Sequence, residues 1–128
     1  MAKLDLEMSG PFDLTIEKID KIVSRASAGN YALGYFNEDK SSFIVNYVGR
    51  ADSDINGRLK DHVGEYEKFK YSYATSPKAA FEKESKNYHD FGEDRKLDNK
   101  IHPARPQGSN WVCPYCDNFK ITEINLNK

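Results

Sequence analysis

The sequence predicts one small domain of the mixed α/β type, more closely α+β: a three-stranded antiparallel sheet flanked by helices and followed by a C-terminal tail. Its 128 residues suit a single ordinary hydrophobic core. Three features predict this architecture: apolar residues at helical spacing, two aromatic-rich runs around a polar stretch, and one run of strict alternation. They occupy residues 13–28, 52–63 and 78–89 (helical spacing), 29–48 (aromatic runs) and 68–74 (alternation).

Composition limits the class of protein. The chain is 38% hydrophobic and 30% charged, which is typical of a globular domain. No run approaches the roughly 18 apolar residues of a membrane helix, and the first residues lack the basic-then-apolar order of a secretion signal. We therefore expect a cytoplasmic protein that does not contact a membrane. The formal net charge of −1 gives no general attraction to nucleic acid.

The chain divides into three segments of one domain. Residues 1–28 are expected to form a loose arm and a first helix, which begins near Asp13 or Thr15. Residues 29–100 are expected to form the core, and residues 101–128 a tail packed on it.

The two aromatic runs are expected to form a β-hairpin. With the turn centred near Asp39, Tyr31 would lie opposite Tyr47, and Tyr35 would face the neighbourhood of Phe43. Opposed side chains of an antiparallel pair lie on one face about 5 Å apart. Tyr31 and Tyr47 would then either stabilise the hairpin or belong to a site, and both interpretations stay open at this point.

The second helix is predicted to carry two polar side chains beside a core stripe. Asp52 or Ser53 is the expected N-cap. Arg58 and His62 are four residues apart, so they would project from one helical face. That face is either solvated surface or part of a site. The core stripe repeats every fourth residue: Ile55, Leu59 and Val63.

The third strand is expected to lead into a further helix. Ser76 and Pro77 predict its start, because serine caps well and proline suits the first helical position. Glu84 lies beside the apolar stripe of this helix and is the preferred functional acid, since it follows Ala80 by one turn. Glu82 competes with it for that role.

Taken in chain order, these polar residues resemble the GIY-YIG nuclease family. Gly29-Asn30-Tyr31 and Tyr47-Val48-Gly49 stand where that family carries its two name motifs. The resemblance covers residues 29–100 and departs from the family at Asn30, which replaces an apolar residue and should cost little if its side chain points outward. The family's arginine, histidine, glutamate and asparagine are matched by Arg58, His62, Glu84 and Asn99.

The resemblance implies hydrolysis of DNA phosphodiester bonds with one divalent ion, Mg²⁺ or Mn²⁺, held by Glu84. Arg58 would bind the phosphate oxygens. Tyr31 would deprotonate the attacking water, with Tyr47 and His62 positioning that water or relaying its proton. Because a phenol has an ordinary pKa of about 10, the metal or Arg58 would have to lower the pKa of Tyr31.

Other roles and alternatives follow from the same resemblance. Asn99 would anchor the loop behind the site. Gly49 and Arg50 would contact substrate, since glycine lets the backbone pass close to it. Sequence specificity is left open between low selectivity, recognition of DNA structure and a partner protein. The alternative function is a catalytically idle nucleic-acid-binding or interaction module with the same fold.

The chain's two cysteines are Cys113 and Cys116, in the run Cys-Pro-Tyr-Cys. This spacing is typical of half a zinc site, and zinc requires four ligands. His89 and His102 are the expected remaining ligands, in a structural site that would hold the long tail on the domain. A redox dithiol and a pair of inert thiols are the alternatives.

Overall fold

The structure, a computed structural model, describes residues 6–37, 42–99, 102–104 and 109–116. Its strands form one antiparallel sheet in the order β1-β4-β2-β3. Within the described ranges, no helix is long and apolar enough to cross a membrane. The elements in chain order are β1 (Ser9–Asp13), α1 (Ile16–Ile22), β2 (Gly29–Phe36), β3 (Phe43–Ala51), α2 (Ile55–Lys60), β4 (Lys68–Tyr73), α3 (Pro77–Asp90) and α4 (Glu93–Lys96).

Strand β1 corrects the prediction of a loose arm and a three-stranded sheet. It pairs with β4, with Phe12 opposite Phe69, and the two rings lie 5.6 Å apart between centroids. The five residues of β1 are too few, and too rich in glycine and proline, for alternation to reveal a strand in the sequence. Partners from elsewhere in the chain, not local pattern, specify this strand.

The predicted hairpin forms, but its register differs from the prediction. Tyr31 lies opposite Gly49, and Tyr47 lies opposite Leu33, so the expected cross-strand pair of Tyr31 and Tyr47 is wrong. A β-bulge after Leu33 shifts the pairing, with Asn46 as the extra residue on β3. Because the offset is two residues, Tyr31 and Tyr47 still project from the same sheet face.

Beyond the bulge, the hairpin follows the expected pairing more closely. Tyr35 pairs with Ile44, next to Phe43, as the sequence predicted. The turn near Asp39 lies outside the described residues.

Two helices begin at residues that the sequence indicated, and one does not. Thr15 caps α1, where its side chain accepts a hydrogen bond from the backbone N–H of Lys18. Ser76 caps α3 in the same way, with Pro77 at the start of the helix. Helix α2 is instead capped by Asp54, which follows the two expected caps, Asp52 and Ser53. Helix α1 ends at residue 22, well short of the predicted end near residue 28.

The core has two parts because consecutive residues of β2 face opposite sides of the sheet. On one side, Tyr31 and Leu33 pack with α1 and α2. On the other side, Ala32 packs with Tyr88 of α3. Strand β3 is an edge strand of the sheet, and both α2 and α3 contact it.

The side chain of Asn30 does not point outward. Its side chain is fully buried, and its Nδ2 donates a hydrogen bond of 2.9 Å to the carbonyl oxygen of Ala80 in α3. Among the described residues, its Oδ1 is buried without a hydrogen-bond partner, so the amide is only half satisfied. The hydrogen bond of Asn30 therefore ties α3 to β2.

Candidate active site and metal centre

A cleft lies at the β3 edge of the sheet, between α2 and α3. It receives side chains from β2, β3, α2 and α3, which are distant in sequence and adjacent only in the fold. All but two of its lining residues were predicted as site residues, and the two exceptions are Asp52 and Ala104. The lining residues are Tyr31, Tyr47, Gly49, Arg50, Asp52, Arg58, Glu84 and Ala104.

His62 joins the two tyrosines, although it does not line the cleft itself. Its Nε2 lies 3.0 Å from the phenol oxygen of Tyr31, and its ring centroid lies 5.4 Å from that of Tyr31 and 5.3 Å from that of Tyr47. Helix α2 ends at Lys60, so the prediction that Arg58 and His62 share a helical face is wrong. The turn after the helix brings His62 to the tyrosines instead.

Tyr31 is almost fully buried, with 2% of its surface exposed. Burial raises its pKa well above the ordinary value, and the opposing effect of Arg58 is smaller. Arg58 does lower the pKa of this phenol, as expected, but its effect is too small to offset burial. Burial likewise raises the pKa of Tyr47.

Gly49 packs against Tyr31, its partner across the strands. A Cβ at Gly49 would lie 2.5 Å from the phenol oxygen of Tyr31 and 2.7 Å from its Cε1. Position 49 is therefore glycine because a side chain there would clash with the ring of Tyr31. The expected reason was a different one, close approach of the backbone to substrate.

Glu84 is a buried carboxyl held by an arginine. Its Oε1 accepts a hydrogen bond of 2.8 Å from Arg50 Nη1, and Arg50 Nε donates a second one, also of 2.8 Å, to Asp52. Burial raises the pKa of Glu84 to about 7, against the smaller lowering effect of Arg50. Arg50 was predicted to contact substrate, but here its guanidinium links two carboxylates.

Asp52 is a cleft residue that the sequence analysis missed, because its position before a helix indicated an N-cap. Its spacing from Arg50 could have indicated a place in the cleft, since side chains two residues apart in an extended segment lie on the same side. Glu82, the alternative acid, lies elsewhere, in a groove with Leu6 and Lys83.

Arg58 is exposed and lines the cleft. No hydrogen bond or ion pair holds its guanidinium among the residues that the structure describes. A guanidinium without a protein partner can offer its donors to phosphate oxygens.

The side chain of Asn99 hydrogen-bonds to the backbone of the edge strand β3. Its Oδ1 accepts from the backbone N–H of Val48 at 3.0 Å, and its Nδ2 donates to the carbonyl oxygen of Val48 at 2.8 Å. The amide thus satisfies the free hydrogen-bonding groups of one edge residue. The contact ties the segment after α4 to β3, and Asn99 also lines a cavity together with Tyr47 and Glu84.

The four residues predicted to form a metal site come together. Their ligand atoms all lie within 4.8 Å of one another, with Cys113 Sγ 3.6 Å from His89 Nε2 and Cys116 Sγ 3.5 Å from His102 Nε2. Tetrahedral zinc with bonds of about 2.0 to 2.3 Å places its ligand atoms about 3.5 Å apart. The His₂Cys₂ group is therefore close enough to bind a metal ion and would fit zinc.

The other ring nitrogen of each histidine supports the same geometry. His89 Nδ1 lies 2.6 Å from Glu93 Oε2, and His102 Nδ1 lies 2.9 Å from the carbonyl oxygen of Pro103. Partners of this kind fix the ring orientation of metal-ligating histidines and leave Nε2 for the metal.

The metal group is connected to the cleft through the segment that carries His102. Ala104, two residues later, lines the cleft, and Pro103 lines a neighbouring cavity together with Glu84. Trp111 packs on Phe81 of α3 with ring centroids 5.9 Å apart. The tail therefore forms part of the wall around Glu84.

Among known proteins, no family model, no curated sequence and no solved structure matches this chain. The functions of the cleft and of the His₂Cys₂ group are therefore inferred from the residues that form them.

Proposed function

We propose that this chain is a metal-dependent endonuclease of the GIY-YIG type, which hydrolyses DNA phosphodiester bonds with a single divalent ion. The observation that carries the proposal is the cleft, where Tyr31, Arg58 and Glu84 from three different elements line one space. A candidate base, a cation without a protein partner and a buried carboxyl are the groups that phosphodiester hydrolysis needs.

Glu84 is the proposed ligand of Mg²⁺ or Mn²⁺. Within the described chain, its Oε2 has no hydrogen-bond partner, whereas Oε1 is bound to Arg50. One carboxylate oxygen facing a wet cleft suits an ion that keeps most of its waters. Such an ion would polarise the phosphate and stabilise the charge that develops on the leaving oxygen.

Arg58 and the tyrosines would act directly on the substrate. Arg58 would bind two phosphate oxygens through its planar fork, which positions phosphorus in the cleft. Tyr31 would take a proton from the attacking water, with Tyr47 holding that water in place. Because burial raises the pKa of Tyr31, the phenol needs a partner that removes its own proton, and His62 is within hydrogen-bonding distance.

The His₂Cys₂ group is proposed to bind structural zinc. Four protein ligands fill a tetrahedron and leave no open position for catalysis. His89 belongs to α3 and the cysteines to the tail, so zinc would fasten the tail to the helix that carries Glu84.

A nicking assay tests the nuclease function. Supercoiled plasmid would be incubated with the wild-type chain plus Mg²⁺ or Mn²⁺, with EDTA as the metal control. Glu84→Gln should abolish nicking, whereas Glu82→Gln is the matched control on the same helix and should keep it. Nicking that survives in EDTA or in Glu84→Gln would contradict the proposed mechanism.

The second candidate is a binding module without catalysis. The ion pair of Arg50 with Glu84 favours it, because it already neutralises the carboxylate that a metal would use. Salt-sensitive binding of DNA without cleavage of plasmid, branched or single-stranded substrates would support this alternative.

A further inference from the structure

We propose that Glu65 is a positioning residue, which holds His62 in the tautomer that accepts the proton of Tyr31. The proposal rests on the nuclease function above and adds to it a residue that no sequence pattern singles out. The structure places three groups in a row: phenol, imidazole and carboxylate.

Hydrogen-bond chemistry assigns the direction of this row. His62 Nδ1 lies 2.8 Å from Glu65 Oε1, and His62 Nε2 lies 3.0 Å from the phenol oxygen of Tyr31. An ionised carboxylate only accepts hydrogen bonds, and a neutral imidazole carries a single N–H. Nδ1 must therefore donate to Glu65, which leaves Nε2 as an acceptor and makes the Tyr31 hydroxyl the donor.

The backbone holds Glu65 at this place. Residues 62–65 form a tight turn, in which the N–H of Glu65 donates to the carbonyl oxygen of His62 at 2.9 Å. Gly64 takes a φ of +95°, which glycine adopts readily and other residues rarely do. The ring of Tyr47 lies against His62, with centroids 5.3 Å apart, and restricts the imidazole further.

His62, held by Glu65, provides an acceptor for the phenol proton of Tyr31. As the water oxygen bonds to phosphorus and the bond to the leaving sugar oxygen breaks, the water gives one proton to the oxygen of Tyr31. The proton that Tyr31 carried passes to His62 Nε2, and the leaving oxygen takes a proton from solvent. Glu65 stabilises the imidazolium that forms and never takes the proton itself, which is the logic of other base-and-orienter pairs.

The competing interpretation is a surface ion pair without a role, since the side chain of Glu65 is 57% exposed. Exposed pairs contribute little to stability, so Glu65→Ala should fold normally. A positioning role and a mere surface ion pair therefore predict the same stability for Glu65→Ala. They differ in whether the substitution changes the tautomer of His62.

The first test is spectroscopic and needs no nuclease activity. The chain has only three histidines, so ¹⁵N spectra of the imidazoles of the zinc-loaded protein at about pH 8.5, where an ordinary imidazole is neutral, can be assigned with His62→Asn. We expect the Nδ1–H tautomer for His62 in the wild type and a shift toward Nε2–H in Glu65→Ala. The control, Glu67→Ala, removes a nearby carboxylate with no hydrogen bond to His62. A wild-type Nε2–H tautomer, or no change in Glu65→Ala, would overturn the assignment.

The second test is kinetic. Glu65→Ala should lower kcat about 10- to 100-fold with KM nearly unchanged, the range typical of losing an orienting partner. If the wild type cleaves DNA and Glu65→Ala keeps its kcat, the positioning role of Glu65 is rejected and the nuclease function stands. A wild type that cleaves nothing would instead reject the nuclease function, and with it any role of Glu65 in catalysis, whatever the tautomer of His62.

Discussion

The phenol ring of Tyr31 lies across Gly49, its partner on the neighbouring strand. Strand β2 thus supplies the ring, and β3 supplies a glycine that leaves room for it, since a Cβ at Gly49 would lie 2.5 Å from the phenol oxygen. The same ring reaches His62 at 3.0 Å. Removing space at Gly49 therefore disturbs the proposed base and its hydrogen bond together.

Gly49→Ala should push the Tyr31 ring away from His62. We expect a loss of about 1–3 kcal/mol in the free energy of unfolding, as for other overpacked cores, and a fall in nicking activity of at least about tenfold. Urea denaturation and the plasmid assay would measure the two effects.

A double-mutant cycle identifies the cause of that loss. In a Tyr31→Ala background the ring is gone, so Gly49→Ala should destabilise much less than in the wild type. If the two losses simply add, the clash with Tyr31 is not the reason that position 49 is glycine.

Glu84 predicts a pH dependence of stability in the metal-free protein. Burial raises its pKa to about 7 in the fold, from an ordinary value of 4.5. A raised carboxyl pKa means that this group contributes its stability fully below about pH 4.5 and loses it as the pH rises through about 7. Glu84→Gln should therefore raise the unfolding free energy at pH 8 by up to about 3 kcal/mol and change it little at pH 5.

Thermal or urea denaturation at both pH values checks this expectation, with EDTA present only during purification. Glu82→Gln serves as the control and should show no such difference between the two pH values. A Glu84→Gln variant that is less stable than the wild type at pH 8 would mean that the charge pair with Arg50 outweighs the cost of burial.

The metal group predicts one zinc per chain. Cys113→Ser removes a buried candidate ligand. Losing a group that only hydrogen-bonds to a ligand lowers metal affinity about 10- to 100-fold, so losing the ligand itself should lower zinc affinity by more than this. The melting temperature should fall as well, because binding energy at a structural site is folding energy. Tyr115→Ala changes an exposed residue between the cysteines and should keep both. Equal zinc content in both variants, measured by elemental analysis, would exclude Cys113 as a ligand.

The sequence predicted most of what depends on local pattern and on chemical type. Helix α3 was predicted from Ser76 and Pro77, whose capping preferences act within one turn. The His₂Cys₂ group was predicted because two cysteines at this spacing suit half of a zinc site, and His89 and His102 were the available further ligands. Both signals need no knowledge of the remaining fold.

What the sequence did not predict depends on distant partners. The bulge between Leu33 and Gly34 changed which residue faces Tyr31. Gly34 was the local signal, since a glycine inside a strand suggests a bulge, but it does not give the new register. His62 reached Tyr31 from a turn and not from a helix, since α2 ends at Lys60. Glu65 became visible only once the hydrogen bonds of His62 were known.

Asn99 gives the last prediction, because it is the one residue that binds both polar groups of Val48 on the edge strand. Asn99→Ala leaves a buried N–H and C=O without their partners, which should cost about 2–3 kcal/mol in unfolding free energy. Asn99→Asp still accepts from the N–H but places a charge against the carbonyl oxygen, so we expect it to be no better than alanine at neutral pH. Asn46→Ala is the matched control, since Asn46 meets this segment only through its backbone carbonyl, which accepts from the N–H of Asp98. Urea denaturation that gives Asn99→Ala and Asn46→Ala the same small loss would show that Asn99 does not anchor β3.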